Sequence, residues 1–255
     1  MPLDELKVLI ESDCGRPGWV FQWLQSVRRR SLFPDSTCWT DHGRMTPHFR
    51  AAFKALPPER RRELIRWKAK RFHPKIAKWI YRNLAPDQTG DDSWASRELL
   101  LSIAHFGTDV PWRRGFFWNE ICRLKGHEFG MWVIEAMAPL VATYDDAPRF
   151  IALYGDEEAH PMVRGEAIFG LAYVSPHHDQ QPPRLDRRWT SLTRATCRRA
   201  LTDTDNPYAR AGGCFLVKWI GGFEKELKEL ASDDTPVWRN WHPVSMYAKG
   251  ALECA

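Results

Sequence analysis

The sequence lacks the long hydrophobic runs and the metal-ligand spacings that mark several common protein classes. No run approaches about 18 consecutive apolar residues, so we expect no membrane-spanning helix. Segment 1–18 has no basic stretch that leads into an apolar one, so we expect no signal peptide. The six cysteines form no CxxC pair and no zinc-ligand spacing. These features favour a cytoplasmic protein with reduced thiols, and we expect neither a cofactor nor a bound metal.

The sequence also has few of the motifs that identify enzymes. It contains no GxSxG motif, no P-loop, no HExxH and no GxGxxG that opens a helix after a strand. Residues 177–179, His-His-Asp, resemble part of a metal site, but they lie in a Pro- and Gln-rich segment without further spaced ligands. We expect Cys122 to lie in the core and not to act as a nucleophile. No catalytic residue is assigned.

Proline and glycine fall between apolar runs of helical periodicity, and alternating valine-rich segments are nearly absent. The 255 residues are 44% hydrophobic and 27% charged, which is sufficient for a sizeable core. This pattern predicts an all-α protein. Tryptophan is unusually frequent, with 13 residues, and its large ring can wedge between helices or anchor a partner.

The N-terminal part is predicted to be a series of helices without a repeat. Helices are expected over 19–27, from Pro47 to Leu56, from Pro58 to Phe72 and over 76–84. Segment 86–92 then predicts a loop. We therefore expect a helical N-terminal region over 1–90 and a second region over 93–255.

A repeat is visible in the second region. Segment 161–171, PMVRGEAIFGL, aligns without gaps with segment 207–217, PYARAGGCFLV, and 94–104 is a looser copy. An acidic, turn-like segment precedes each of the first two copies, and a second helical stretch follows each copy. Small residues at positions 167, 170 and 213 are expected to let neighbouring helices approach closely.

These copies resemble the HEAT-repeat family, especially its short bacterial form with an Asp-rich turn followed by Pro-x-Val-Arg. The resemblance covers about 93–255 and implies an α-solenoid of stacked antiparallel helix pairs that binds other macromolecules. It also implies that Arg164 and Arg210 tie one repeat to the acidic turn of a neighbour. The long linker 175–183 and the pair Gly212-Gly213 depart from the family pattern.

Positive charge is concentrated in segment 59–82, which has ten Lys or Arg and two Glu, a net charge of +8 in a chain of net charge +5. Trp67 lies among cations, away from the apolar face of its predicted helix. The segment is typical of a solvated helix face, of a nucleic-acid surface or of a surface for an acidic protein. The candidate partner- or phosphate-binding residues are Arg60, Arg61, Arg62, Arg66, Trp67, Lys70, Arg71, Lys75 and Lys78.

The favoured functional hypothesis is a non-catalytic α-solenoid that binds a protein partner, as an adaptor or as an inhibitor of the immunity-protein kind. The immunity role is inferred from architecture alone. The alternative is a nucleic-acid-binding protein related to HEAT-like DNA glycosylases for alkylated bases, although no residue matches their catalytic pattern.

Overall fold

The computed structural model describes residues 47–68, 74–83, 91–105, 112–176, 187–237 and 242–254. Regular structure in these segments is helical, apart from one isolated antiparallel bridge between Pro236 and Pro243. The prediction of an all-α protein is therefore confirmed for the described residues. The predicted helix over 19–27 and the segment 177–179 lie outside them.

The chain divides into two compact units, 1–108 and 109–255. The first unit contains α1 (Pro47–Ala55), α2 (Pro58–Lys68), α3 (Pro74–Asn83) and α4 (Asp91–His105). Proline at the first position of α1, α2 and α3 removes no hydrogen bond, because the first N–H groups of a helix have no intrahelical acceptor. The buried core of this unit includes Phe53, Leu64, Ile65, Ile80 and Leu99.

The division between the units differs from the boundary expected near residue 90. Helix α4 packs against α2 and α3, because Leu99, Leu100 and Ile103 bury their side chains completely. The loosest copy of the repeat, 94–104, therefore lies on a helix of the first unit. Helix α4 also begins at Asp91, inside the segment that was predicted to be a loop.

The second unit contains eight α-helices and one short 3₁₀ helix within its described residues. Their bounds are α5 (Trp112–Leu124), α6 (Gly130–Met137), the 3₁₀ helix Tyr144–Asp146, α7 (Ala147–Gly155), α8 (Pro161–Val174), α9 (Arg187–Leu201), α10 (Pro207–Ile220), α11 (Glu224–Leu230) and α12 (Val244–Leu252). The two aligned sequence copies are α8 and α10. Helix α12 was not predicted.

Helices of the second unit pack in a regular order. Helix α8 lies between α6 and α10, and α10 in turn packs against α12. Each of these four helices also packs against the helix that precedes it in the chain: α5 on α6, α7 on α8, α9 on α10 and α11 on α12. Two sets of alternating helices therefore share one apolar core.

Glycines allow the close approach of these helices. A Cβ atom at Gly170 of α8 would lie 2.7 Å from Cε1 of Phe150 in α7, and one at Gly213 of α10 would lie 3.1 Å from the Leu201 side chain in α9. Separations this short leave no room for a larger side chain. The predicted role of small residues at 170 and 213 is confirmed.

Arginines link helices to acidic residues in later turns. Arg114 of α5 forms an ion pair of 2.9 Å with buried Asp146, and Arg210 of α10 forms one of 2.8 Å with Asp233. Arg210 also donates hydrogen bonds to the backbone carbonyls of Asp203 and Thr204. Each of these two ion pairs therefore connects one pair of consecutive helices to a turn of another pair.

Arg164 of α8 makes a weaker contact of the same kind. Its Nη2 lies 4.0 Å from the Asp203 carboxylate, and its Nε donates to the carbonyl oxygen of Tyr154 at 3.0 Å. The contacts that the repeat pattern implies for Arg164 and Arg210 are thus present.

Arg210→Ala is expected to lower the free energy of unfolding by about 1–3 kcal/mol, because it removes the donor to Oδ2 of the largely buried Asp233 carboxylate and to two backbone carbonyls. Arg198→Ala is the control, since the Arg198 side chain is 64% exposed and pairs with Glu226 at 3.5 Å. Exposed pairs contribute about 0–1 kcal/mol. Urea unfolding of the two variants measures the difference, and equal losses would contradict a structural role specific to Arg210.

Candidate functional site

The basic segment of the first unit contributes to helix packing at one of its arginines. Arg61 donates from Nε to the carbonyl oxygen of Leu56 at 2.8 Å and from Nη2 to that of Lys54 at 2.5 Å. Its guanidinium carbon lies 5.8 Å from the centre of the Phe53 ring. Arg61 therefore satisfies carbonyls at the end of α1, which is a structural role.

The structure describes the other candidate binding residues of segment 59–82 to different extents. Arg60 pairs with Glu63 at 3.3 Å, and Arg62 and Lys78 are half-buried. Arg66 and Trp67 lie on α2 and Lys75 on α3, but their side chains are outside the described part of the structure. Lys70 and Arg71 lie outside the described residues altogether. The binding role of this segment stays a prediction.

Partly exposed aromatic side chains lie on four neighbouring helices of the second unit, α6, α8, α10 and α12, and those of α8, α10 and α12 are in ring contact. We call this group the aromatic surface, and it consists of Trp132, Phe169, Tyr173, Phe215, Trp219 and Tyr247, all half-buried except Tyr173, which is exposed. The exposed fraction of Tyr173 is 44%. Groups of neighbouring aromatic rings that stay partly in water are enriched where proteins bind partners.

The aromatic surface follows the register of the repeat. Residues 162, 166, 169 and 173 of α8 align with 208, 212, 215 and 219 of α10. Each set is spaced i, i+4, i+7 and i+11, which keeps its members on one face of a helix. The repeat therefore places one stripe from each helix on the same side of the unit.

Ring contacts connect these stripes across the helices. The ring centre of Phe169 lies 5.4 Å from that of Phe215, 5.5 Å from that of Tyr208 and 6.0 Å from that of Tyr247. Tyr173 lies 5.6 Å from Phe215. Such separations are typical of tilted and edge-to-face aromatic pairs, which add to the stability from burial. The rings are thus held in a fixed arrangement.

Gly165 determines where Tyr208 lies beneath this surface. A Cβ atom at Gly165 would overlap Cδ1 of Tyr208 and lie 2.7 Å from its Cβ. Because position 165 has no side chain, the Tyr208 ring rests directly on the backbone of α8. The Tyr208 hydroxyl then donates to Oε2 of Glu166 at 2.5 Å.

Glu166 is a buried carboxyl group beneath the aromatic surface, with an exposed fraction of 5%. Burial raises its pKa to about 8, because the charged form loses its hydration, whereas the hydrogen bond from Tyr208 opposes this shift. The charge of Glu135 on α6 raises the same pKa further. Glu166 is therefore largely protonated at neutral pH.

Cys122 is exposed, so the expectation that it lies in the core was wrong. The buried face of α5 is formed by residues such as Phe117, Ile121 and Leu124, and Cys122 points away from them. Cys197 and Cys214 are free cysteines and are buried. Among the described residues, no three His, Cys, Asp or Glu side chains converge in a way that could hold a metal ion.

Comparison of the chain with family profiles, curated proteins and solved structures finds no match. Within the described residues, no helix is long and apolar enough to cross a membrane. The aromatic surface is therefore the main candidate site of the second unit.

The aromatic surface was not predicted from the sequence, although its signal was present. The aligned copies carry Phe169 opposite Phe215 and Tyr173 opposite Trp219, at positions four residues apart in each helix. Aromatic residues at helical spacing usually belong to a core, so spacing alone does not separate a buried stripe from a half-exposed one. The alignment places Gly212 opposite Glu166, and nothing in the sequence indicates that Glu166 is buried.

Gly165→Ala is expected to destabilise the protein by about 1–3 kcal/mol, since the added methyl group must displace the Tyr208 ring. Gly115→Ala in α5 is the matched control, because no atom lies within 4 Å of its Cβ position. Alanine at that helical position is expected to stabilise by about 0.5–1 kcal/mol. Thermal unfolding of both variants gives the measurement, and a neutral Gly165→Ala would contradict the close packing of α8 on α10.

Glu166 is expected to make the protein less stable as pH rises from about 4.5 to about 8. The folded state keeps the Glu166 proton up to about pH 8, whereas the unfolded chain releases it near 4.5. The stability contribution is therefore complete below about 4.5 and is lost as pH rises to about 8. Unfolding measured at several pH values should show a weaker decline in Glu166→Gln than in the parent, with Glu157→Gln, an exposed position, as the control.

Proposed function

We propose that the protein is a non-catalytic binding protein with a HEAT-like α-solenoid in its second unit, and that the aromatic surface receives a protein partner. The observation that carries this proposal is the set of six half-buried or exposed aromatic side chains on four neighbouring helices. An adaptor and an inhibitor of the immunity-protein kind both fit this function.

The composition of the aromatic surface supports a protein partner. Tryptophan and tyrosine dominate the binding energy of protein interfaces, because their rigid rings bury a large area at a small cost in conformational entropy. The ring contacts of Phe169 and Phe215 hold these side chains in place before a partner arrives. Pre-organisation of this kind reduces the entropy lost on binding.

The packing order supports the solenoid. Helices α6, α8, α10 and α12 pack consecutively, and each also packs against the helix that precedes it in the chain. A solenoid of stacked helix pairs has this neighbour pattern, in which each repeat contacts the next. The arginine contacts of Arg164 and Arg210 recur at equivalent positions of α8 and α10.

Nucleic-acid binding remains the second candidate, and segment 59–82 is the feature that favours it. Its net charge of +8 would attract a phosphate backbone. Arg61 is already bound to carbonyls of α1, however, so it is less available for phosphate. The glycosylase variant of this candidate gains no support from Glu166, because a protonated carboxyl cannot stabilise a developing positive charge.

Tyr173→Ala is expected to weaken capture of the partner by about tenfold or more, since an exposed aromatic at an interface commonly contributes at least 1.4 kcal/mol. Leu192→Ala is the matched control, because Leu192 is 45% exposed on α9, outside the aromatic surface, and Tyr173 is 44% exposed. The measurement is quantitative capture from nuclease-treated lysate by the parent and both variants.

A protein that the parent and Leu192→Ala retain and Tyr173→Ala loses is the expected result. Equal capture by all three proteins would contradict binding at the aromatic surface. Capture that is lost on nuclease treatment, and that falls steeply with salt, would instead favour nucleic-acid binding through segment 59–82.

A further inference from the structure

A groove runs between α5 and α7, two helices that carry no part of the aromatic surface. At one end, the guanidinium carbon of Arg149 on α7 lies 5.2 Å from the centre of the Trp118 ring on α5. At the other end, Nζ of Lys125 donates to Oδ2 of Asp156 at 2.7 Å. Seven residues separate Trp118 from Lys125 and Arg149 from Asp156, so the two helices run in the same direction. The two pairs therefore close the groove about 10 Å apart, since a helix rises about 1.5 Å per residue.

The middle of the groove is an open apolar slot. Ile121 and Cys122 line it from α5, and Ala152 and Leu153 line it from α7. The cavity has a volume of about 570 Å³, within the range of about 300–1,000 Å³ found for small-molecule sites. Cys122 and Ala152 are exposed and small, so they leave the slot open to solvent. The slot can therefore receive an apolar group of a ligand.

The two ends of the groove differ in charge. Lys125 is already paired, because its Nζ lies 2.7 Å from the Asp156 carboxylate and 3.2 Å from that of Glu158. Arg149 is exposed and forms no ion pair with any residue in the described part of the chain. It also lies in the first turn of α7, where the helix dipole favours a negative charge. An anionic group is therefore expected to bind at the Arg149 end.

The Trp118 ring gives the guanidinium group of Arg149 a fixed place. The indole N–H of Trp118 donates to Oδ1 of buried Asp146 at 2.7 Å, and Nε of Arg114 donates to the same oxygen at 2.9 Å. The ring is thus held in position, and Arg149 stacks on it. A guanidinium group presents its N–H donors in its own plane, where a carboxylate binds with both oxygens.

We propose that the groove between α5 and α7 binds a small carboxylic acid, with its aromatic or aliphatic part in the apolar slot and its carboxylate on Arg149. The guanidinium group matches the charge and the planar shape of a carboxylate. A small molecule fits better than a segment of a protein, because the Trp118–Arg149 and Lys125–Asp156 pairs close both ends to a continuing chain. The groove shares no residue with the aromatic surface, so this inference is independent of the proposed protein-binding function.

Cys122 allows binding in the groove to be measured, since its thiol is exposed and lines the slot. The full-length protein is treated with iodoacetamide, an uncharged alkylating reagent, with and without 3-phenylpropionate. Peptide mass spectrometry gives the alkylation rate of each cysteine, and Cys254 is the internal control, because it is exposed and lies outside the groove. Only the free groove exposes Cys122, so a ligand concentration of four times Kd is expected to slow its alkylation about fivefold. The rate at Cys254 is expected to stay unchanged.

Two further compounds test the chemistry of the ligand. 3-Phenylpropanamide has nearly the shape of the acid without its charge, and acetate has the charge without the apolar part. Each is expected to bind about tenfold more weakly than 3-phenylpropionate, because the amide loses the charged hydrogen bonds to Arg149 and acetate loses the burial of the ring.

Substitution of Arg149 separates a contact with the ligand from a general effect of charge. Arg149→Gln is expected to lower the affinity for 3-phenylpropionate about tenfold. Arg123→Gln is the matched control, because Arg123 follows Cys122, has a side chain that is 47% exposed and does not line the groove. Both variants remove one positive charge near Cys122, so a general effect would be equal in the two.

Ala152→Leu tests the slot itself. The larger side chain occupies the slot, so 3-phenylpropionate is expected to give no further protection of Cys122 in this variant. Ala195→Leu is the matched control, since Ala195 is an exposed alanine on α9. Leucine is a strong helix former, so both exposed helical positions tolerate it.

Equal protection of Cys122 and Cys254, or no protection of Cys122, would overturn the inference. An amide that binds as tightly as the acid, or equal affinities of Arg149→Gln and Arg123→Gln, would overturn the role of Arg149. Acetate that binds as tightly as 3-phenylpropionate, or full protection in Ala152→Leu, would overturn the role of the slot.

A protein segment is the other possible occupant, and the capped dipeptide acetyl-Phe-Glu-amide is its probe. If this dipeptide protects Cys122 at a lower concentration than 3-phenylpropionate, the small-molecule ligand is overturned and the groove is assigned to a protein segment. None of these outcomes changes the result expected for Tyr173→Ala at the aromatic surface, so the two proposals fail separately.

Discussion

The second unit depends on the close approach of α8 and α10, at the point where Tyr208 rests on Gly165. No side chain fits at position 165, because its Cβ atom would overlap the tyrosine ring. Asn206, at the start of α10, also holds α8 and α10 close together. Its Nδ2 donates to the Pro161 carbonyl oxygen at 2.8 Å, and its Oδ1 accepts a hydrogen bond from the backbone N–H of Ala209. Two helix starts are therefore held side by side, and the equivalent positions of both helices fall on one face.

This register has consequences for the chemistry of the surface. It brings Phe169 and Phe215 into contact and places Tyr173 and Tyr247 around them, while the Tyr208 hydroxyl reaches Glu166. Burial destabilises the charged form of Glu166 and raises its pKa to about 8. The packing of two helices thus fixes both an aromatic surface and a buried carboxyl group that accepts a hydrogen bond from Tyr208.

The sequence predicts the helices of this protein better than it predicts the aromatic surface. Proline at 47, 58, 161 and 207 marks four helix starts correctly, because proline has no N–H to lose there, and α3 begins at Pro74, two residues before the expected position 76. Helix α12 was missed because it follows a short Pro-rich segment. The exposure of Cys122 and the burial of Glu166 could not be predicted, since both depend on which face of a helix meets its neighbours. The binding role of the basic residues in segment 59–82 was predicted from their charge. Arg61 shows that such a residue can instead donate hydrogen bonds to carbonyl oxygens at the end of a helix.

Photo-cross-linking from single positions tests most directly whether the aromatic surface is the binding interface. A photo-reactive amino acid at position 173, in protein expressed in the source cells, is compared with one at position 192 of equal exposure. Binding at the aromatic surface predicts one dominant protein adduct from position 173 and none from position 192. Adducts of equal yield from both positions, or none from position 173, would contradict it.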